Sequence, residues 1–216
     1  MKGQTQALTA VLITTITVGT VATAYVWGAP LLEKRQSKAQ LDELERSIKN
    51  LRSEIVSVAR SGSGTTAKVT LQLDDGARLE VNEQQDYIDI TTQAPAPPYP
   101  AGTWTLLEGN SLQNLTIGSG SYAVKSSDLP AVLAVRVASG AGGSMVTYRI
   151  ETRNMYARTA SGPVLEKIDL DSVGRRTATG KTTIFLTNTG DRQDSIETAT
   201  GETLERKITE VKVDIR

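Results

Sequence analysis

The sequence predicts an α+β fold: a long N-terminal hydrophobic helix continues into an amphipathic helix, and an antiparallel β-sandwich or open β-barrel domain follows. Three observations support this prediction. Residues 7–29 carry no charged side chain. Between residues 41 and 58, apolar residues recur at alternating spacings of three and four, as they do on one face of a helix. From residue 69 onward, apolar residues recur at every second position between turn-forming clusters, which is typical of short strands.

The composition of the chain restricts the chemistry that it can perform. The chain has 216 residues with 24 basic and 24 acidic side chains, so its charge balance does not indicate a nucleic-acid partner. It has no cysteine and no histidine, which excludes disulfides, thiolate nucleophiles, histidine-based triads and Cys/His metal sites. We therefore expect a protein that is not an enzyme and that has no cofactor, no metal and no nucleic-acid partner.

The N-terminal apolar segment is long enough to span a membrane. As a helix, residues 7–29 extend about 34 Å, and the hydrocarbon core of a bilayer is about 30 Å thick. Six of these residues are threonines, whose hydroxyls can donate to a preceding backbone carbonyl and so be tolerated in lipid. Tyr25 and Trp27 lie near the far end, where aromatic side chains favour the membrane–water interface. These features predict a transmembrane helix.

Three interpretations of this segment stay open. It is a permanent membrane anchor, a secretory signal peptide cleaved at the A-x-A pattern of residues 22–24, or a helix retained after a short leader is removed. The third interpretation follows from Lys2, Gly3 and Gln4, which stand immediately before the apolar run. A basic residue followed by Gly and Gln at this place resembles the class III signal peptide of archaeal type IV pilin-like proteins. In that family a prepilin peptidase cleaves after the Gly and leaves the apolar helix on the mature protein.

The resemblance to pilin and archaellin-like subunits covers residues 1–60. Many archaeal pilins carry Q-x-S-x-E-x-x-x-L after the cleavage site. Gln4 and Leu12 match this pattern, whereas Gln6 and Leu8 replace the Ser and the Glu. The missing acid removes a charge that many type IV pilins pair with a neighbour's N-terminus, but archaellin-type subunits lack that acid as well.

The resemblance implies a structural subunit of an archaeal type IV pilus-like surface filament. Its partners would be further copies of itself, the prepilin peptidase and the membrane. The protein would reside in the cell membrane before assembly and in an extracellular filament afterwards, with the β domain outside. The alternative is a single-pass, membrane-anchored extracellular protein that uses its β domain for binding or adhesion and does not polymerise.

Small residues at four-residue spacing form two faces of the predicted membrane helix. The first face consists of Thr15, Gly19 and Thr23, and the second of Thr20, Ala24 and Gly28. Small residues at this spacing let helix backbones approach closely in an apolar medium. Two such faces suit a helix surrounded by copies of itself, although a segment rich in Thr, Ala and Gly also produces these spacings by chance.

A heptad stripe of apolar residues follows. It consists of Leu41, Leu44, Ile48, Leu51, Ile55 and Val58. Two and a half heptads are too few for a stable free coiled coil, so the stripe needs a partner. That partner is either the β domain of the same chain or a neighbouring subunit.

The β region is predicted as a series of short strands. Residues 69–73 and 79–81 alternate on both sides of a turn and predict a hairpin. Residues 93–102 hold four prolines and predict an extended connection. Further predicted strands cover residues 87–90, 103–107, 114–117, 132–137, 146–152, 182–187 and 209–215.

Two polar motifs in the β region have ordinary explanations. Asn114 begins a glycosylation sequon, which makes it a modification site if the domain is extracellular. The pattern Asp169-x-Asp171-x-x-Gly174 begins like a calcium loop, but Gly180 stands where the bidentate Glu belongs. A solvated turn is therefore predicted there.

The predicted organisation has five parts. They are a leader peptide (1–3), a transmembrane or filament-core helix (4–29), an amphipathic heptad helix (30–60), a flexible joint (61–64) and an extracellular β-rich domain (65–216).

Overall fold

A computed structural model describes residues 2–74, 76–95, 97–109, 115–117, 121–125, 129–140, 143–159, 162–197 and 203–216. Within these residues it contains one helix, α1 (Lys2–Arg60), and thirteen strands. The strands are β1 (Thr66–Gln72), β2 (Arg78–Asn82), β3 (Tyr87–Ala94), β4 (Trp104–Glu108), β5 (Leu115–Ile117), β6 (Ser121–Lys125), β7 (Ala131–Gly140), β8 (Gly143–Thr152), β9 (Asn154–Thr159), β10 (Gly162–Val173), β11 (Thr177–Ala178), β12 (Lys181–Glu197) and β13 (Thr203–Ile215). An N-terminal apolar helix and a mostly β domain are thus confirmed.

The strands form two sheets. The six-stranded sheet has the order β11-β2-β3-β8-β7-β4, and all its neighbours are antiparallel. The seven-stranded sheet has the order β1-β12-β13-β10-β9-β6-β5, and its β10–β13 and β6–β9 pairs are parallel. The expected antiparallel arrangement therefore holds for the first sheet and not for the whole of the second. Parallel neighbours need a long connection, and an alternating sequence pattern does not show which strands such a connection joins.

The predicted hairpin is wrong in its pairing. Both of its arms are strands, but β1 pairs with β12 in the seven-stranded sheet and β2 pairs with β3 in the six-stranded sheet. The Ala77 N–H donates to the Asp74 carbonyl at 2.9 Å, so the chain does turn between them. The turn passes the chain from one sheet to the other. The prediction missed this because alternation determines which face of a strand is buried and not which strand lies beside it.

The heptad stripe belongs to the core of the β-rich domain. The chain divides into two compact units, Met1–Gln40 and Leu41–Arg216, so this part of α1 lies in the second unit. The predicted organisation instead groups residues 30–60 together and divides the chain at 61–64. All six stripe residues are at most 7% exposed and form one hydrophobic cluster with residues of both sheets.

Residues 61–64 are hydrogen-bonded to strand β12 through Asn188. The Asn188 Nδ2 donates to the carbonyls of Val58 at 3.0 Å and Ala59 at 3.2 Å, and its Oδ1 accepts from the Gly190 N–H at 2.8 Å. The Gly64 N–H donates to the Asn188 carbonyl at 2.8 Å. Asn188 is 1% exposed, so its side chain caps the helix end inside the protein. The segment predicted as a flexible joint is thereby attached to the sheet.

The proline-rich connection is attached to α1 by Tyr99. The Tyr99 hydroxyl donates to the Glu45 carboxylate, and its ring meets that of Tyr148 at 90° with 6.4 Å between centroids. Burial opposes the ionised form of Glu45, but hydrogen bonds from Lys49 and Tyr99 outweigh it and hold the pKa of Glu45 below its ordinary value. Burial raises the pKa of Tyr148 to about 12. Tyr99 therefore joins the proline-rich connection to α1 through Glu45 and packs it against Tyr148.

Candidate functional site

Residues 12–29 of α1, in the first unit, contain no buried side chain. Residues 12–29 form an 18-residue stretch with a mean hydropathy of 1.4, of which 0% is buried. Its large hydrophobic side chains are between 59% and 77% exposed: Leu12, Ile13, Ile16, Val18, Val21, Tyr25, Val26 and Trp27. By length and composition the helix can cross a membrane, as either an anchor or a signal sequence does. It is the largest exposed apolar surface among the described residues, so we treat it as the candidate site.

Threonine hydroxyls in this segment are bonded to the helix backbone. Thr17 Oγ1 donates to the Ile13 carbonyl at 2.8 Å, and Thr23 Oγ1 donates to the Gly19 carbonyl at 2.8 Å. Thr20 Oγ1 donates to the Ile16 carbonyl at 2.5 Å. Each of these threonines therefore uses the polar hydrogen of its hydroxyl within the helix. The surface is more apolar than the threonine count implies.

The two small-residue faces lie in this exposed segment. Thr15, Gly19, Thr23, Thr20 and Ala24 are exposed, and Gly28 is half-buried. A Cβ atom added at Gly19 or Gly28 would meet no atom within 4 Å. Among the described residues, nothing therefore requires a small residue at either glycine.

The predicted processing residues stand at the start of α1. Lys2 is the first residue of the helix, and Gly3 and Gln4 follow within it. Their side chains lie outside the described part of the structure. The processing of Gly3–Gln4 stays a prediction from the sequence.

The heptad stripe leaves no apolar surface for a neighbouring subunit. Ile48, Leu51 and Ile55 are 0% exposed. The other side chains of this stretch are mostly polar, and Lys49 Nζ lies 2.8 Å from Glu45 Oε1. Residues 41–58 therefore have their partner in their own domain.

The structure tests one of the two polar motifs of the β region. Asn114 lies outside the described residues. Asp169 and Asp171 lie in β10, and only Gly174 lies in a bend, so the predicted solvated turn is wrong. The D-x-D spacing fits a strand equally well, because alternate residues share one face; Leu170 between the two acids is 1% exposed. The described residues contain no group of three or more acids that could hold a metal ion.

Sequence reasoning missed a charge cluster around Asp86, which lies in the β2–β3 turn. Asp86 is 4% exposed, and its carboxylate contacts Lys167 Nζ of β10. Asp169 Oδ1 lies 3.6 Å from the same Nζ, and Arg192 Nη2 lies 2.6 Å from Asp169 Oδ2. The acid of the turn and the lysine of β10 are 81 positions apart, and no local pattern relates them.

A second missed cluster lies on the outer face of the six-stranded sheet. The Arg149 guanidinium lies 3.7 Å from the centroid of the Tyr87 ring and 4.8 Å from that of Trp104. It also pairs with Asp89, with 2.8 Å between Nε and Oδ1. Stacked aromatic and guanidinium groups of this kind can recognise a partner, and they also stabilise a sheet face by themselves.

Comparison with known proteins identifies no relative. No protein-family model matches the chain, no curated protein matches it, and no solved structure matches it.

Proposed function

We propose that this chain is a structural subunit of an archaeal type IV pilus-like surface filament, assembled through its N-terminal helix. The observation that carries the proposal is the apolar stretch at residues 12–29, whose large hydrophobic side chains are all exposed. Exposing an apolar surface of this size to water is unfavourable, so in this proposal lipid or other copies of the helix cover it. The two small-residue faces supply the close approach that packing among copies needs.

The proposed mechanism is assembly after processing. Cleavage after Gly3 makes Gln4 the first residue of the mature chain. The apolar helices then leave the lipid and pack together, and dispersion contacts summed over each helix hold the filament core. The β domain, whose two sheets form a sandwich or an open barrel in this proposal, lies outside the core and determines the surface character of the filament.

The mature N-terminus tests the proposal. Mass spectrometry of the protein taken from the cell surface is expected to show a chain that begins at Gln4. The variant Gly3→Val should leave Met1 in place and abolish filaments, because the peptidase requires a small residue before the cut. An intact Met1 in the wild-type protein, or normal filaments from Gly3→Val, would contradict the proposal. A chain that begins within or just after residues 22–24 would instead identify a secretory signal peptide.

The alternative is a membrane-anchored binding or adhesion protein that does not polymerise. Leu8 favours it, because it replaces the acid that many type IV pilins use at assembly. The cluster of Arg149, Tyr87 and Trp104 supplies a candidate recognition surface. Electron microscopy of purified cell envelopes separates the two functions, since the alternative requires only single, lipid-bound copies at every growth stage.

A further inference from the structure

Asp86 has an unusual backbone conformation that several contacts maintain. Its φ is +53°, and it is the only non-glycine residue with a positive φ among the residues that the structure describes. Its carbonyl accepts from the Thr152 N–H at 3.0 Å and from the Thr152 hydroxyl at 3.2 Å. Its carboxyl group accepts from the Leu170 N–H at 3.0 Å through Oδ1, while Oδ2 contacts Lys167 Nζ. Backbone conformations of this kind persist where the surroundings over-determine them, and they cluster at functional sites.

The side chains of Asp86 and Lys167 are largely shielded from water. The side chain of Asp86 is 6% exposed and that of Lys167 is 20% exposed. Burial raises the pKa of Asp86, and the neighbouring Asp169 carboxyl adds to this rise, while Lys167 and the Leu170 N–H oppose it. The net direction favours the neutral carboxylic acid, which is the form of the group that an amine can attack.

Asp169 is held in a position to carry a proton. Its Oδ1 lies 3.6 Å from Lys167 Nζ, and Arg192 Nη2 fixes its Oδ2 at 2.6 Å. Other charged groups near this cluster are Arg206 and Asp194, which pair with each other through Arg206 Nε and Asp194 Oδ1 at 2.8 Å. One oxygen of Asp169 therefore faces the lysine nitrogen while the other is occupied by a cation.

We propose that Lys167 and Asp86 form an intramolecular isopeptide bond, with Asp169 carrying the proton. Proton transfer within the Lys167–Asp86 contact first yields a neutral amine and a neutral acid. The Nζ lone pair then bonds to the Asp86 Cγ, and Asp169 accepts a proton from Nζ and returns it to the departing oxygen. The Cγ–Oδ2 bond breaks, and that oxygen leaves as one molecule of water. The products are an amide and water, so no oxidant, reductant or cofactor is required.

Two physical effects favour this reaction inside the protein. Holding two groups in contact gives effective molarities of about 10⁵–10⁸ M, which offsets the preference of free acids and amines for their salts in water. Burial disfavours the charged pair relative to the neutral pair, because both ions lose hydration. The bond would join β10 of the seven-stranded sheet to the β2–β3 turn of the six-stranded sheet, and it does not depend on filament formation.

The chain contains a matched pair that should not react. Lys207 Nζ lies 2.9 Å from Asp191 Oδ2, but these side chains are 48% and 44% exposed. Water solvates both charges there, so the pair should stay an ordinary salt bridge.

Intact-mass measurement of the purified full chain under denaturing conditions tests the proposal. After its N-terminus has been determined, the chain is expected to weigh one water molecule less than its sequence. Protease digestion should release a branched peptide that contains both Asp86 and Lys167. An unchanged mass after prolonged incubation of the folded protein would overturn the proposal, as would a water loss that maps to any other position.

Variants separate the cross-link from a simple ion pair. Lys167→Arg keeps the positive charge but has no nucleophilic amine, so its mass should match its sequence; a persistent water loss would overturn the proposal. Asp169→Asn should form the cross-link about 100-fold more slowly, as expected for loss of a proton carrier, and an unchanged rate would overturn the role of Asp169. Asp191→Asn, at the matched exposed pair, should retain the water loss; its disappearance there would overturn the assignment to Asp86. The mass of the wild-type chain decides the question even if a variant does not fold.

Discussion

Two 18-residue stretches of α1 differ completely in how their apolar side chains are covered. In residues 12–29 the large hydrophobic side chains are between 59% and 77% exposed, whereas the stripe within residues 41–58 is at most 7% exposed. The first stretch is apolar on every side, while the second confines its apolar residues to one face. A single stripe is small enough for the chain's own sheets to cover. A helix that is apolar all round needs an apolar surrounding medium, and in the function proposed above this medium is lipid or other copies of the helix.

An Ile→Asp substitution should destabilise the folded domain in the second stretch and weaken membrane insertion in the first. Ile48→Asp places a carboxylate at a position that is 0% exposed, so we expect a loss of more than about 4 kcal/mol in the free energy of unfolding. Ile16→Asp, at 60% exposure, should change that free energy by less than about 0.5 kcal/mol. It should instead cost about 2.5–3.5 kcal/mol of membrane insertion. Urea unfolding of the full chain in detergent measures the first effect, and membrane fractionation measures the second.

Either of two results would contradict this difference between the stretches. A folded, stable Ile48→Asp protein would mean that the stripe is not part of the domain core. An Ile16→Asp protein that stays in the membrane fraction at the wild-type level would mean that residues 12–29 do not hold the chain there.

Gly19→Leu examines what covers the first stretch. A Cβ at Gly19 meets nothing within 4 Å in the part of the chain that the structure describes, so the substitution should leave folding and membrane insertion unchanged. If helices of several copies approach along this face, the larger side chain should separate them and abolish most filament formation. Electron microscopy counts the filaments, and Val18→Leu on a neighbouring position is the control for added volume. Normal filaments from Gly19→Leu would remove the small-residue faces from the assembly mechanism.

Asn188→Ala examines how the second stretch is attached to its domain. The substitution leaves the carbonyls of Val58 and Ala59 without their buried donor, so we expect a loss of about 1–3 kcal/mol in the free energy of unfolding. Thr189→Ala, at the exposed neighbouring position, should change it by less than about 0.5 kcal/mol. Equal effects of the two substitutions in a urea titration would show that the cap does not stabilise the helix end.

Periodicity predicted the parts of the fold that depend on local chemistry. The uncharged segment, the heptad stripe and most strands of the β domain follow from which residues alternate or recur, and the structure contains these elements. The stripe also predicted that this part of the helix needs a partner, because six apolar residues on one face are unfavourable in water. The choice between its own domain and a neighbour needed the structure.

Strand pairing and contacts between residues far apart in the chain could not be predicted from the sequence. The turn after β1 was predicted to close a hairpin, yet it leads into the other sheet, because alternation specifies a buried face and leaves the neighbouring strand open. The D-x-D pattern of Asp169 and Asp171 fits a turn and a strand equally, and only the burial of Leu170 between them distinguishes the two.

By itself the sequence determined where apolar surface occurs and in which period, since each side chain carries its own hydration preference wherever the chain goes. That was enough to establish a membrane-length helix, an amphipathic helix and a β-rich domain. Only the tertiary structure decided which surface covers which, and which charges meet. Those outcomes depend on contacts between residues far apart in the chain, such as Asp86 with Lys167 and Asn188 with the end of α1, whose energy exists only once the sheets have formed.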